Sequence, residues 1–194
     1  MVKEKDIDRL KQLGVKDSKH LTKNKREQLF AKLKAIAVDY ELVIIQPKEI
    51  DTAVNSVSNN LNWLEAVKTA MILNKLQPDK AIVDSPSHNT QAYKDFLLHY
   101  ILNKSLELNV ENKAEQYLPV AAASVIAKVT RDNEIEKLKK VVGNFGSGYP
   151  SDPKTRQFAK ENWFRFPKIF RKSWSTYKAL SNQGLISQKK LNNF

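Results

Sequence analysis

An aspartate that follows a short apolar segment is a first candidate for chemistry in this chain. The segment Lys80 to Asp84 (KAIVD) is typical of a buried strand and would place Asp84 at the carboxyl end of that strand. Open α/β sheets form their ligand crevices at the carboxyl ends of the strands, so this carboxylate is a candidate site residue. A turn before Ser85 and Pro86 would use an aspartate equally well, and this second interpretation stays open.

A second acid and a basic tract are further candidates. Glu115 lies between a predicted strand and a long predicted helix, where a carboxylate is commonly a helix-start charge that the dipole stabilises. The tract Gly14 to Thr22 (GVKDSKHLT) holds three side chains that can reach a phosphate, namely Lys16, Ser18 and Lys19. Turn chemistry explains the polar residues of this tract equally well.

Two later segments carry side chains suited to nucleic acid. In the predicted helix Val120 to Asp132, small residues permit a close backbone approach, and Lys128 and Arg131 interrupt an otherwise apolar pattern. Such charges commonly extend their side chains into solvent. The loop Gly146 to Tyr149 (GSGY) combines accessible backbone amides with a phenol that can stack on a sugar or base. A lone tyrosine in a turn would also be unremarkable.

Alternating helical and strand patterns predict the elements that position these residues. Strands are predicted at Tyr40 to Gln46, Lys80 to Asp84 and Ser105 to Val110. Helices are predicted at about Lys5 to Leu13, Thr22 to Ala37, Asn60 to Leu76, Ala92 to Leu102, Pro119 to Val142, Pro153 to Arg165 and Phe170 to Ser181. The alternation predicts an α/β domain. We expect residues 1–150 to form its core and residues 151–194 a basic helical extension of the same structural unit.

The charge of the chain indicates a class of partner. Among 194 residues, 33 Lys and Arg exceed 21 Asp and Glu, which gives a formal net charge of +12. The segment Pro150 to Phe194 has ten basic residues against two acidic ones, and it holds eight of the 17 aromatic residues. Basic groups neutralise phosphates and rings stack on bases, so nucleic acid is the first candidate partner. The same rings would also suit a packed helical layer.

The composition excludes several classes of protein. The chain has no cysteine, which excludes disulfides and thiolate zinc sites. Its apolar runs are far shorter than the roughly 20 residues that span a bilayer. The amino terminus has no apolar segment of the signal-peptide type. We therefore expect a soluble, cytoplasmic protein with no membrane partner.

Taken together, these segments closely resemble ribonuclease HII, the type 2 ribonuclease H, in its archaeal form. The resemblance rests on separate motifs in the right order along nearly the whole chain. They are GVKDSKHLT at Gly14 to Thr22, NLNWLEA at Asn60 to Ala66, AIVDS at Ala81 to Ser85, NKAEQYLPVAAASVIAKVTRD at Asn112 to Asp132, FGSGYPSDPKT at Phe145 to Thr155 and FRKSWSTYK at Phe170 to Lys178.

The resemblance implies a metal-dependent nuclease. It implies cleavage of the RNA strand in RNA–DNA hybrids, and on the 5′ side of ribonucleotides embedded in duplex DNA. In the family, four acids hold two Mg²⁺ or Mn²⁺ ions, and the products carry 5′-phosphate and 3′-hydroxyl ends. Asp84 matches the third acid, and Glu115 stands where the family usually has its fourth acid, an Asp. Both are therefore expected to be catalytic, metal-binding residues in a ribonuclease H-like mixed sheet flanked by helices.

The resemblance also implies how substrate is recognised. Tyr149 matches the tyrosine that senses the 2′-hydroxyl at the RNA–DNA junction. The side chains of Lys16, Ser18, Lys19, Lys128 and Arg131 match positions that line the substrate cleft. The expected partners are RNA–DNA hybrids and ribonucleotide-containing duplex DNA, with no small-molecule cofactor. Family members usually work alone, so we expect a monomer.

One departure from the family lies at the front of the chain. Members begin with a strand that carries Asp-Glu-Ala-Gly-Arg-Gly, which supplies two of the four acids, and the present sequence lacks this motif. The first strands of the fold are therefore expected to be missing. Three explanations account for this departure. They are a truncated sequence, a split enzyme completed by another chain, and a degenerate protein. The last explanation gives the alternative function, a non-catalytic module that binds hybrid or duplex.

Overall fold

The computed structural model describes residues 1–15 and 21–182. The helices are α1 (Ile7–Gln12), α2 (Lys23–Ile36), α3 (Pro47–Val54), α4 (Leu61–Leu76), α5 (Thr90–Tyr100), α6 (Leu118–Val142) and α7 (Pro153–Asn162), and the strands are β1 (Lys80–Asp84) and β2 (Glu107–Glu111). Short 3₁₀ turns lie at Glu4–Asp6 and Ala114–Gln116. Residues 175–182 are also helical. The α/β fold class predicted from the sequence is confirmed.

The sheet that carries the candidate aspartate is a parallel pair. β1 pairs with β2 in a register that sets Asp84 opposite Glu111. The connection between the two strands contains α5, as parallel strands require. Because successive side chains alternate between faces, Ala81 and Val83 lie on one face and Asp84 on the other. The register therefore brings two carboxylate-bearing residues together at the carboxyl edge of this sheet.

The described residues form two compact units. The first comprises Met1–Val43 and Asn62–Arg131, and the second comprises Ile44–Leu61 and Asp132–Phe194. The predicted division between residues 1–150 and 151–194 stays a prediction. Within the described ranges, no helix has the length and apolar character that crossing a membrane demands.

Two apolar clusters hold the first unit together. One joins the apolar face of the sheet to helices α4 and α5, with Tyr93 and Leu97 fully buried. The other joins α1 and α2 to the first half of α6, around Leu10, Leu29 and Val125. The helical pattern read from the sequence is confirmed here, including the predicted cap at Thr22, whose side chain accepts the backbone N–H of Lys25 at 3.2 Å.

The strand predicted at Tyr40 to Gln46 is wrong. These residues form neither strand nor helix, and pairing among the described residues is confined to β1 and β2. A strand requires a neighbouring strand for its backbone groups, and within residues 1–15 and 21–182 no strand pairs with this segment. Leu42 and Ile44 are 37% and 50% exposed. Pro47, which we expected to end the strand, instead begins α3, because a helix start tolerates its missing N–H.

The aromatic residues of the carboxyl-terminal segment mostly pack against one another in the second unit. Phe158 contacts Phe145 with ring centroids 5.5 Å apart and also contacts Phe170, while Tyr177 contacts Trp163. A largely apolar cavity of about 260 Å³ lies within this cluster. Phe164, which contacts Trp163 edge-on, and Trp174 are more exposed, at 66% and 36%. Phe194 lies outside the described residues. Packing therefore accounts for most of these rings.

Burial in the first unit predicts a sharp contrast between two leucines. Leu97 is fully buried, whereas Leu102 is 78% exposed. Truncating a buried leucine removes transfer free energy and leaves a cavity, so Leu97→Ala should lower the free energy of unfolding by about 2–5 kcal/mol. Leu102→Ala should change it by less than about 0.5 kcal/mol. Urea denaturation of both variants measures the difference, and equal losses would contradict the described core.

Candidate active site

The carboxylate of Asp84 connects the end of β1 to the loop that follows β2. Asp84 is exposed, and its Oδ1 accepts the backbone N–H of Ala114 at 3.0 Å. This bond spans 30 residues and holds the 3₁₀ turn Ala114–Gln116 against the end of the strand. Glu115 is the next residue of that turn and is half-buried. The two acids predicted from the sequence therefore lie on adjoining backbone segments.

The turn that carries Glu115 is braced on its other side by a phenol. Tyr117 donates its hydroxyl to both carboxylate oxygens of Glu111, at 3.0 and 3.1 Å. This hydrogen bond raises the pKa of Tyr117 above its ordinary value. Ala114 is fully buried beside it. The backbone on both sides of Glu115 is thus anchored.

The turn after β1 uses a serine in place of the aspartate. Ser85 is buried, and its Oγ donates to the carbonyl of Ser87 at 3.0 Å and accepts the Ser87 N–H. The amide of Asn112 donates to the carbonyls of both serines. Ser85 therefore supplies the side-chain hydrogen bonds of this turn, and Asp84 is left to bind the turn around Ala114.

Two acids near Asp84 were missed by the sequence reasoning. Glu111 is the register partner of Asp84, and Glu65 lies on α4 close enough for the two charges to repel. Desolvation, and then the charge of Asp84, raises the pKa of Glu65. A signal for Glu65 was available, because it stands between the buried residues Leu64 and Ala66 inside the quoted motif NLNWLEA. Glu111 could be identified only from the strand register, which sets it opposite Asp84.

The oxygen donors present here are of the type that a hard divalent cation prefers. The number of described residues that supply them is too small for a complete metal site. Carboxylate oxygens are the ligands that Mg²⁺ and Mn²⁺ prefer, and Asp84 and Glu115 both supply them. The oxygens of Glu111 are engaged by Tyr117 and by the amide of Asn109. Over residues 1–15 and 21–182, no group of three or more His, Cys, Asp or Glu could hold an ion.

The structure describes two of the residues predicted to bind substrate through a positive charge. Lys128 and Arg131 lie on α6, three residues apart and both half-buried, beside the buried residues Val125 and Val129. The predicted residues Lys16, Ser18 and Lys19 lie outside the described residues. Their grouping with the two acids stays a prediction.

The loop that presents Tyr149 is tied to the start of α7. Asp152 accepts the Ser147 N–H at 2.6 Å, and Thr155 Oγ1 accepts the Gly148 N–H at 3.0 Å. Thr155 also donates to the Phe145 carbonyl at 2.9 Å. These bonds fix both flanks of a turn whose next side chain, Tyr149, is 45% exposed. Tyr149 belongs to the second unit, and its predicted approach to the acids stays a prediction.

Asp152 is the anchor of this loop. It accepts backbone N–H groups from Ser147 and from Lys154, the latter as the cap of α7. These hydrogen bonds lower the pKa of Asp152 to about 2, so the carboxylate stays ionised at acidic pH values where an ordinary aspartate becomes protonated. A methyl group added at Gly146, where φ is +82°, would collide with this carboxylate.

Two glycine substitutions separate backbone strain from this collision. Gly143 and Gly146 both have positive φ, but a methyl group at Gly143 meets nothing within 4 Å. Gly143→Ala should therefore cost only the strain of about 1–2 kcal/mol. Gly146→Ala should cost more, because it also displaces Asp152. Urea denaturation compares the two variants, and equal destabilisation would count against a tight loop around Asp152.

Comparison of sequences finds a family that matches most of the chain. The family model described as Ribonuclease HII matches residues 1–177. The ribonuclease HII of Pyrococcus furiosus is 43% identical over 185 residues, which cover 93% of this chain and 81% of that protein. The ribonuclease HII of Methanococcus maripaludis strain C5 is 43% identical over 187 residues, which cover 92% of this chain and 77% of that protein.

Comparison of folds gives the same result. The crystal structure of the ribonuclease H2 from Pyrococcus horikoshii OT3 matches with a TM-score of 0.83 and 41% identity, covering 94% of this chain and 87% of that one. The ribonuclease HII of Archaeoglobus fulgidus, solved in complex with PCNA, matches with a TM-score of 0.77 and 39% identity, covering 91% and 83%. Bst-RNase HIII in complex with Mn²⁺ matches with a TM-score of 0.70 at 18% identity, covering 93% and 62%, and shows the shared fold alone.

These matches confirm the family, the ribonuclease H-like fold and the hydrolytic activity inferred from the motifs, and they do not support the non-catalytic alternative. The chain therefore belongs to the ribonuclease HII family, whose members are endonucleases that cleave the RNA strand of RNA–DNA hybrids.

Proposed function

We propose that Asp84 and Glu115 are the residues of this chain that hold Mg²⁺ or Mn²⁺ for hydrolysis of RNA in hybrids and of ribonucleotides embedded in duplex DNA. The observation that carries the proposal is the hydrogen bond from the Ala114 N–H to Asp84, which sets the Glu115 turn at the end of β1. Ribonucleases of this fold use divalent ions, and a structural relative holds Mn²⁺. The choice between the two ions is part of the proposal.

The chemistry follows from how the two carboxylates are held. Bound divalent ions would activate a water molecule and stabilise the departing 3′ oxygen, leaving 5′-phosphate and 3′-hydroxyl ends. The hydrogen bond from the Ala114 N–H to Oδ1 restricts rotation of the Asp84 side chain. The direction of the other carboxylate oxygen is therefore also fixed. Glu115 sits on a turn anchored at Ala114 and Tyr117. Fixed ligands of this kind reduce reorganisation during the reaction.

Recognition of the substrate is proposed to divide between a sensor and a set of cations. Tyr149 would test for the 2′-hydroxyl of the ribonucleotide, with its loop held by Asp152 and Thr155. The set of cations would contact phosphates and fix the register of the duplex without reading its sequence. It comprises Lys16, Lys19, Lys128 and Arg131, with Ser18 as a neutral hydrogen-bonding partner. A monomeric state, with metal ions as the one cofactor, completes the proposal.

A charge-neutralising substitution tests the metal-site assignment. Asp84→Asn keeps the size of the side chain and one oxygen that can accept the Ala114 N–H, but it removes the ligand charge. Losing a residue that supports a metal ligand commonly costs 10- to 100-fold in activity, so losing the ligand should cost at least about 100-fold. The measurement is Mg²⁺- or Mn²⁺-dependent cleavage of a duplex that contains one ribonucleotide. Asp79→Asn, at the opposite end of β1, is the matched control and should leave the rate unchanged.

The same assay tests whether cleavage needs the two acids of the Asp-Glu-Ala-Gly-Arg-Gly motif, which the present sequence lacks. One arm uses the chain as it stands, and a second uses a chimera that carries the leading segment of the Pyrococcus furiosus relative. Cleavage that depends on Asp84 in either arm supports the proposal. A folded chimera that binds the duplex without cutting it would overturn the catalytic assignment of Asp84 and Glu115.

Replacing one hydroxyl tests the sensor. Tyr149→Phe keeps the ring and removes the hydrogen bond to the 2′-hydroxyl, which is worth about 1–1.5 kcal/mol. The preference for a single embedded ribonucleotide over all-DNA duplex should fall roughly tenfold, with the affinity for duplex nearly unchanged. Tyr100→Phe, at an exposed tyrosine of the first unit, is the control. A parallel loss of preference and affinity would argue against the sensor role.

A further inference from the structure

A carboxylate on α3 binds the backbone just ahead of the last described helix. Asp51 accepts the Lys172 N–H at its Oδ2 and the Ser173 N–H at its Oδ1, both at 2.8 Å. The contact joins segments 121 residues apart in sequence, and both belong to the second unit. Each oxygen of the carboxylate is therefore committed to one of two consecutive amides.

The position of these amides explains why a charged acceptor is used. The helix at residues 175–182 begins its backbone bonding where Lys178 donates its N–H to the Trp174 carbonyl at 3.0 Å. The first N–H groups of a helix lack partners within it, and its dipole favours negative charge at that end. Asp51 supplies that charge from another part of the chain. Desolvation would raise the pKa of Asp51, but hydrogen bonds from Ser173 and Lys172 and the charge of Arg171 lower it below its ordinary value.

The anchored segment presents basic groups. Lys172 and Lys178 are both exposed, and the guanidinium of Arg171 lies over the Trp174 ring at 4.9 Å. Holding the amide of Lys172 fixes the point from which its long side chain extends. In a chain with a net charge of +12, an acid beside such a segment repels phosphates, so we expect its charge to serve another purpose. Bonding to the two amides is such a purpose.

We propose that Asp51 is a positioning residue for duplex binding, which holds Lys172 and the start of the 175–182 helix in the orientation that contacts phosphates. This inference rests on the proposed function, because it takes hybrid or duplex as the partner of the basic segment. Asp51 itself does not touch the nucleic acid.

The sign of one substitution separates this role from simple electrostatics. Asp51→Asn removes a negative charge, so an effect of net charge alone would tighten duplex binding. The positioning role predicts the opposite, a loss of roughly three- to tenfold in affinity and a salt dependence that is shallower, with the magnitude of the slope of log K against log salt smaller by about one. Binding to an RNA–DNA hybrid is measured without divalent ions, so that no cleavage occurs. Glu161→Gln is the matched control, because Glu161 is an acid of α7 within the basic segment Pro150 to Phe194. This variant should bind equally or more tightly.

A double-mutant cycle identifies the route of the effect. Lys172→Ala should weaken binding and flatten the salt dependence by itself, and adding Asp51→Asn to it should cause little further loss. Asp51→Glu, which keeps the charge, should recover most of the affinity. Additive losses from Asp51→Asn and Lys172→Ala, or affinity for Asp51→Asn at or above that of the unaltered chain, would overturn the inference.

A measurement on the unaltered chain covers the case in which Asp51→Asn does not fold. Hydrogen exchange at the Lys172 and Ser173 amides should be slowed in the free protein and stay slowed with hybrid bound. Exchange at the unprotected rate would overturn the inference. Because binding is read without cleavage, a chimera that binds hybrid without cutting it would overturn the metal-site proposal and leave this test decisive.

Discussion

The hydrogen bond between the Ala114 N–H and the Asp84 carboxylate is the contact on which the candidate active site depends. It joins the end of β1 to the turn that carries Glu115, and the bonds from Asn112 to the Ser85 and Ser87 carbonyls hold the same two segments together. The bond uses one carboxylate oxygen, and it fixes the turn one residue away from the second acid. Burial of Ala114 and the bond from Tyr117 to Glu111 then stop that turn from moving away. Two short segments, 30 residues apart, are thereby held side by side, and each carries a carboxylate.

The same physical device recurs in the second unit. Asp152 binds the amides of Ser147 and Lys154, and Asp51 binds those of Lys172 and Ser173. A carboxylate that accepts backbone N–H groups forms charge-assisted bonds, which are stronger than bonds between neutral groups. In a chain with 33 basic and 21 acidic residues, these two acids hold loops in place by binding backbone amides.

Sequence patterns were sufficient wherever local chemistry decides the structure. β1 with Asp84 at its end, the cap of α2 at Thr22 and the long helix that begins near Pro119 follow from periodicity and cap chemistry, and the structure has all three. The strand predicted at Tyr40 to Gln46 failed because a strand exists only with a partner, and no local pattern reveals whether one is present. The roles of Glu111 and Asp51 were invisible for the same reason, since each depends on a distant segment.

The glutamate at position 115 is best understood together with the rigidity of its turn. A glutamate reaches about 1 Å further than the aspartate usual in the family, and an error of that size can cost about 100-fold in rate when the backbone is held elsewhere. An added methylene also adds a rotatable bond, whose freedom must be restricted for a precise ligand. Here the Asp84 and Glu111 contacts hold the backbone on both sides of Glu115, so motion of its carboxylate comes from the rotatable bonds of the side chain. For the proposed metal site, the braced turn supplies a fixed starting point, and the side chain of Glu115 must itself supply the correct reach.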